Sequence, residues 1–208
     1  MESILDWNHL CGSMRNHGLM KSIANLLFEA KMLKEIPRSG FHFLGAGKES
    51  VAEHSFSTAF VALVMSQLEP NIDALKLISM CLVHDLPEAR IGDLNTVQKK
   101  YVCADDTKAV EDMTNDLPFG PLLADLIREF NEAATPEAKL AKDADQLGLI
   151  LELKQLNDNG FFPANQWLEN VLKRLQTTTG KAIAAGIMDT HHDAWWLDKG
   201  IDTLPINH

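Results

Sequence analysis

The sequence predicts an all-α fold, and three observations predict it. Apolar residues recur at the three- and four-residue spacing of amphipathic helices along most of the chain. No segment alternates apolar and polar residues convincingly enough to read as a strand. Pro37, Pro70, Pro87 and Gly92 stand where periodic segments stop. With 208 residues, 46% of them hydrophobic and 23% charged, the chain has the composition of a soluble globular protein and the length to bury one sizeable core. No Ser/Gly-rich or Pro-rich linker divides it, and no internal repeat is visible, so a single domain over 1–208 is expected.

Taken in order, Ile23, Leu26, Leu27, Ala30 and Leu33 hold one face of a helix that should stop before Pro37, because the residue preceding a proline is disfavoured in helical geometry. Arg38 to Lys48, with Gly40, Gly45 and Gly47, reads as a loop. A helix should begin near Ser50, its hydroxyl capping the first turn and Glu53 closing a capping box, and run to Leu68. Asn71 can cap the next helix, whose Leu75, Ile78, Met80 and Leu82 predict a buried central element. Beyond the interruption at Pro87 and Gly92, helices are expected at Lys108–Asp116, Pro121–Glu132, Pro136–Asn157, Ala164–Leu175 and Lys181–Leu197.

Charge and cysteine usage narrow the function classes. A net charge of −10 and a pI near 5.2 argue against a broad face for nucleic-acid polymers. They do not exclude a small anionic substrate, since a metal ion and one or two local cations reverse the field inside a cleft. Cys11, Cys81 and Cys103 form neither a metal-ligand spacing nor an even disulfide framework, which suits a reducing compartment. No basic segment followed by an apolar run opens the chain, and the most apolar stretch, around Ala59 to Met65, is too short to span a bilayer. A cytoplasmic protein without membrane attachment is expected.

The informative chemistry is the adjacent pair His84-Asp85 at the end of an otherwise apolar helix, where ionisable groups need a partner or a metal if buried. His54 lies on the preceding predicted helix and Asp145 on a later long one. Two imidazoles and two carboxylates form a mixed nitrogen and oxygen set suited to Mn, Fe, Co, Ni or Zn, with positions left for water and substrate. Singly, each residue has a blander reading: a lone helical histidine is usually structural, and Asp145 beside Lys142 reads as a solvated face. Asp143 competes with Asp145, and two residues apart on a helix they point in different directions, so both cannot serve one ion.

The ordered strings Glu49-Ser50-Val51-Ala52-Glu53-His54-Ser55, then Leu82-Val83-His84-Asp85-Leu86-Pro87-Glu88-Ala89-Arg90-Ile91-Gly92-Asp93-Leu94, then Lys142-Asp143-Ala144-Asp145-Gln146-Leu147 resemble the HD-domain 5′-deoxynucleotidases. The resemblance covers about residues 36–157 and implies an all-helical HD domain, with the helices of 164–200 packed on that core. It implies one divalent metal ion (Mn, Co, Fe, Ni, Zn or Mg) held by His54, His84, Asp85 and Asp145; the Ala-Asp-Gln-Leu context favours Asp145 over Asp143. It gives Glu88 the role of activating or positioning the attacking water, and Asp93 that of a second acidic residue near the scissile bond and sugar. The plainer reading of Glu88 is a pair with Arg90 or a solvated side chain, and Pro87 disturbs the helical path to it.

Arg38, in Pro37-Arg38-Ser39-Gly40-Phe41, matches a segment whose arginine grips the 5′-phosphate, a task for which the planar guanidinium fork is suited. At Phe41 the bacterial members carry a tryptophan implicated in rejecting a ribose 2′-OH, so the resemblance leaves the sugar preference open. No histidine lies between Asp85 and Asp145, where dinuclear HD enzymes place additional ones; a mononuclear site is expected. Members are commonly homodimers. His191-His192 with Asp193 and Trp195-Trp196 reads as helix packing or a dimer contact rather than a second site, and His9, His17, His42 and His208 receive no role. The expected activity is hydrolysis of (deoxy)nucleoside 5′-monophosphates. Its rivals are an HD phosphohydrolase reaction on a (p)ppGpp-like, triphosphate or cyclic nucleotide, a non-catalytic module that binds metal and nucleotide, and a metal that merely stabilises the bundle.

Overall fold

A computed structural model describes residues 15–197; Cys11, His9 and His208 lie outside them. The elements are α1 (Arg15–Met32), α2 (Gly40–Leu44), α3 (Val51–Leu68), α4 (Ala74–Val83), α5 (Glu88–Ile91), a 3₁₀ turn (Gln98–Lys100), α6 (Asp106–Thr114), α7 (Gly120–Glu132), α8 (Pro136–Asp158), α9 (Ala164–Leu172), α10 (Thr178–Asp189) and α11 (Ala194–Leu197). Among the described residues there is no strand; a single bridge pairs Pro37 with Ser50. Helix α8 is the central post, with α3, α4, α7, α9 and α10 packed around it. Ala144, Leu147, Ile150 and Leu153 of α8 are fully buried at helical spacing, and Met65, Leu77 and Met80 meet them from α3 and α4. None of the described helices is long and apolar enough to cross a membrane.

Local signals account for several boundaries. The capping box at the start of α3 forms as expected: the Glu53 amide donates to Ser50 Oγ (3.2 Å), and the Ser50 amide donates to the Glu53 carboxylate (2.6 Å). Inside the predicted loop at 38–48 the short helix α2 appears, ended by Gly45 in the left-handed region (φ 82°).

Other expectations are corrected. The cap of α4 is Asp73, whose carboxylate accepts from the Lys76 amide (3.0 Å), and not Asn71. Leu75 and Leu82, expected in the core, are exposed, because α4 is apolar on more than one face and its fully covered stripe is Leu77, Met80 and Cys81, with Ile78 and Val83 partly covered beside it. Helix α9 stops at Leu172, and the segment expected as one helix from Lys181 to Leu197 breaks after Asp189. Thr190 is extended, and the amide of His192 turns away to donate to Asp158 (2.9 Å).

Candidate active site

His54 is on the buried face of α3, three residues past its first helical position. His84 and Asp85 lie where α4 gives way to a turn that leads through Pro87 into α5, and Asp145 projects from the middle of α8. The fold thus brings the four residues from distant segments to one point. His54 Nε2 is 2.9 Å from Asp145 Oδ1 and 3.9 Å from Asp85 Oδ2; His84 Nε2 is 3.2 Å from the same Asp85 oxygen. Donor atoms of His54, His84 and Asp85 all lie within 4.8 Å of one another.

The protonation pattern of this cluster suits a cation. His84 Nδ1 donates to the Cys81 carbonyl (2.8 Å), which keeps the Nε2 lone pair for the cluster, and Nε2 is buried without a hydrogen-bond partner. Burial alone would lower the His84 pKa, but Asp85 and Asp145 lift it to about 9. Burial works against ionisation of Asp85 and Asp145 too, yet His84 holds Asp85 well below the usual carboxylate range and His54 takes Asp145 down to about 2. Two partly buried carboxylates that hold a proton on an imidazole have the charge and donor atoms to hold a divalent ion in its place.

Asp143 points away from the cluster. Its carboxylate is fully buried on the far side of α8, where it accepts from the amides of Gln176 (2.8 Å) and Thr177 (2.7 Å) and from the Thr177 hydroxyl (2.6 Å). It ties down the chain that enters α10, and Gly180 leaves it room: a Cβ there would sit 2.3 Å from Asp143 Oδ2. Asp143→Ala should therefore cost roughly 2–4 kcal/mol of stability by leaving those donors unsatisfied, yet leave divalent-ion affinity unchanged. Thermal melting and metal titration of the variant check the two halves separately.

Around the cluster opens a cleft of about 570 Å³ lined by Arg38, Phe41, Glu88, Asp93, Lys142 and Trp167, among others. Arg38 Nη1 donates to Asp85 Oδ2 (3.1 Å), and its Nε is 4.0 Å from Asp93. Asp93 in turn accepts from the Ser39 amide (2.8 Å), so it fastens the loop that carries Arg38. Phe41 is buried against Gly47, where φ is +89° and a Cβ would come 2.6 Å from the ring, so the Phe41 ring is fixed by the loop beneath it. Glu88 reaches the cleft through the turn that Pro87 bends, and its Oε2 is buried without a partner. Burial, then the neighbouring carboxylates of Asp85 and Asp93, push its pKa up to about 8. Arg90 is not its partner: that guanidinium binds Glu29 through two hydrogen bonds of 2.9 and 2.7 Å.

Sequence reasoning left three neighbours unread. Lys142 Nζ sits 3.7 Å over the Phe130 ring, and that ring also packs on His84. Gln146 donates to Asp145 Oδ2 (2.9 Å). Glu49, only 4% exposed, stands behind His54 with both carboxylate oxygens unpartnered. Gln146 follows the motif aspartate directly, which is a usable signal; Glu49 and Lys142 lie where a sequence reads a solvated loop or helix face. Asp158, His191 and His192 also cluster, but Lys154 already binds both Asp158 oxygens at 2.5 Å, and the group knits α8 to the C-terminal turn.

Known proteins share this fold and much of this sequence. The family model described as "HD domain" matches residues 30–186. The 5′-deoxynucleotidase HDDC2 of Dictyostelium discoideum is 33% identical over 134 residues, 58% of this chain and 70% of that protein. The protein of the same name from Bos taurus is 31% identical over 159 residues, 72% of each chain. Among solved structures, a conserved hypothetical protein from Pyrococcus furiosus superposes with a TM-score of 0.68 at 30% identity, over 80% of this chain and 99% of that one. The PH0347 protein from Pyrococcus horikoshii OT3 gives 0.64 at 31% identity, over 80% and 98%. Since the family model spans most of the chain and the matched segment contains the whole His54, His84, Asp85 and Asp145 cluster, the protein belongs to the HD-domain family.

Proposed function

We propose that this protein is a metal-dependent phosphohydrolase that releases inorganic phosphate from (deoxy)nucleoside 5′-monophosphates, with one divalent ion held by His54, His84, Asp85 and Asp145. The observation that carries the reading is the convergence of these four donors beside Glu88 and Arg38 in one cleft. The similar proteins named 5′-deoxynucleotidase, at about 30% identity, support the substrate class. A bound divalent ion supplies Lewis acidity toward a phosphate oxygen and acidifies a nearby water.

The chain's own groups do the remainder. Glu88 faces the cleft beside the cluster, and in its ionised form its carboxylate accepts the proton of the attacking water; a cation beside it would oppose the neighbouring carboxylates that push its pKa up to about 8. Arg38 has five N–H donors, and Asp85 uses one of them at hydrogen-bond distance, so the fork keeps capacity for phosphate oxygens. Asp93 holds the Ser39 amide and so sets where that fork stands. Phe41 presents an apolar edge to the cleft in place of an indole. The reading is tested by incubating the protein and Mn²⁺ with nucleoside mono-, tri- and cyclic phosphates and identifying the products. Phosphate from monophosphates alone is expected, and the ribose to deoxyribose ratio measures what Phe41 does. Pyrophosphate release or cyclic-bond opening as the main reaction overturns the substrate assignment.

The working form is a cytoplasmic homodimer joined through α3. Phe56, Phe60, Leu63, Val64 and Leu68 form an exposed apolar stripe along that helix, with Phe56 and Phe60 stacked on each other, and a stripe of this kind favours a protein partner. Cys81 and Cys103 are free thiols, as a reducing compartment allows. Phe60→Glu should convert the dimer to monomer in analytical ultracentrifugation while the helical signal persists; a wild-type protein that sediments as a monomer contradicts the dimer.

A further inference from the structure

Glu49 is the residue whose chemistry the site leaves unused. It precedes α3 and is buried, with neither carboxylate oxygen in a hydrogen bond. His54 Nδ1 is a second buried atom without a partner, and it faces Glu49 Oε2 at 3.9 Å. The same Glu49 oxygen lies 4.0 Å from Arg38 Nε, and the Glu49 carbonyl accepts from the Arg38 amide (2.9 Å). Two unsatisfied buried groups side by side, one a ring nitrogen and the other an acceptor, are costly unless they pair.

The chemistry of His54 says when they pair. Its Nε2 faces Asp145 and Asp85, the atoms of the cluster. An imidazole that gives its Nε2 lone pair to a cation carries its hydrogen on Nδ1, and that hydrogen needs an acceptor. Glu49 is the acceptor on that side, in either protonation state, since a neutral carboxyl keeps a carbonyl oxygen. The Thr58 hydroxyl stands on the other nitrogen, 3.4 Å from Nε2, and Gly148 packs close to the Nδ1 edge, where an added Cβ would lie 3.6 Å away.

We infer that Glu49 is a positioning residue that accepts the Nδ1 hydrogen of His54, fixing the imidazole with Nε2 toward the metal, and that it anchors the Arg38 loop from the same carboxylate. This rests on the metal-site assignment above. A sub-ångström closure of the 3.9 Å gap completes the bond.

The experiment titrates Mn²⁺ into EDTA-stripped wild type, Glu49→Gln and Glu49→Ala by calorimetry. Alongside it, imidazole ¹⁵N spectra of the Zn²⁺-loaded proteins report the His54 tautomer. Glu49→Ala should weaken metal binding about 10–100-fold and lose the ordered Nδ1–H signal. Glu49→Gln, which keeps an acceptor oxygen, should stay within about threefold of wild type and retain that signal. Equal metal affinity in Glu49→Ala and wild type overturns the inference and leaves the metal site standing, whereas an Nε2–H tautomer in the loaded wild type overturns the inference and removes His54 Nε2 from the ligand set as well. A wild type that takes up no Mn²⁺ overturns the metal-site assignment itself. Matched melting curves of the two variants separate positioning from misfolding.

Discussion

Asp85→Ala should abolish divalent-ion binding and turnover together. A single Asp85 oxygen lies 3.2 Å from His84 Nε2, 3.1 Å from Arg38 Nη1 and 3.9 Å from His54 Nε2, so it is the hub of the cluster. Although burial opposes its ionisation, His84 and Arg38 hold the carboxyl well below its ordinary pKa, and the anion is present at neutral pH. Its loss removes a ligand and half of the negative charge that Asp85 and Asp145 present to the cluster. We expect metal affinity to fall at least ~100-fold and kcat/KM at least ~10³-fold, the order of a lost anionic ligand in a metal-dependent hydrolase. Calorimetric titration with Mn²⁺ and a phosphate-release assay on the same sample measure both. A variant that keeps its metal and a tenth of its activity would remove Asp85 from the ligand set.

Glu88→Gln separates the chemistry from the metal. The Glu88 carboxyl lines the cleft with its Oε2 buried and unpartnered, and burial and the nearby carboxylates push its pKa to about 8. A group with that pKa is matched to exchanging a proton with water near pH 7, a contribution of roughly 10²–10⁴ in rate. An amide of the same shape cannot take the proton, so kcat should drop by that factor while Mn²⁺ affinity and KM change little. Thermal stability should hold or rise, because an unpartnered buried carboxyl costs stability in the folded state. Near-normal kcat in Glu88→Gln would reduce the residue to a neutral lining group and return the proton to another acceptor.

What the sequence made legible was local or came as an ordered motif. The Ser50/Glu53 capping box involves residues three apart, and it forms as predicted. The Asp143/Asp145 ambiguity turned on side-chain direction. Residues two apart on α8 face nearly opposite sides, and the structure gives the Asp143 side to the start of α10 and the Asp145 side to His54. What stayed hidden depends on long-range contacts. Leu75 and Leu82 are as apolar as the buried Leu77, and only the packing of α4 on α3 and α8 decides which stripe is covered. The break after Asp189 depends on the His192 amide finding Asp158, far away in sequence. Glu49 stands close to His54 in sequence, but nothing local shows that its side chain turns inward against α3 and not into solvent.

If one divalent ion in this cluster makes the protein a nucleoside monophosphatase, activity must follow metal content. The measurement is to strip the protein with EDTA, return Mn²⁺ or Co²⁺ in fractional equivalents, and follow phosphate release from a deoxynucleoside 5′-monophosphate. The stripped protein should release none, and returned metal should give a linear rise that breaks at one equivalent per chain. Release that survives EDTA, or that climbs until a second equivalent is bound, would contradict the one-ion reading.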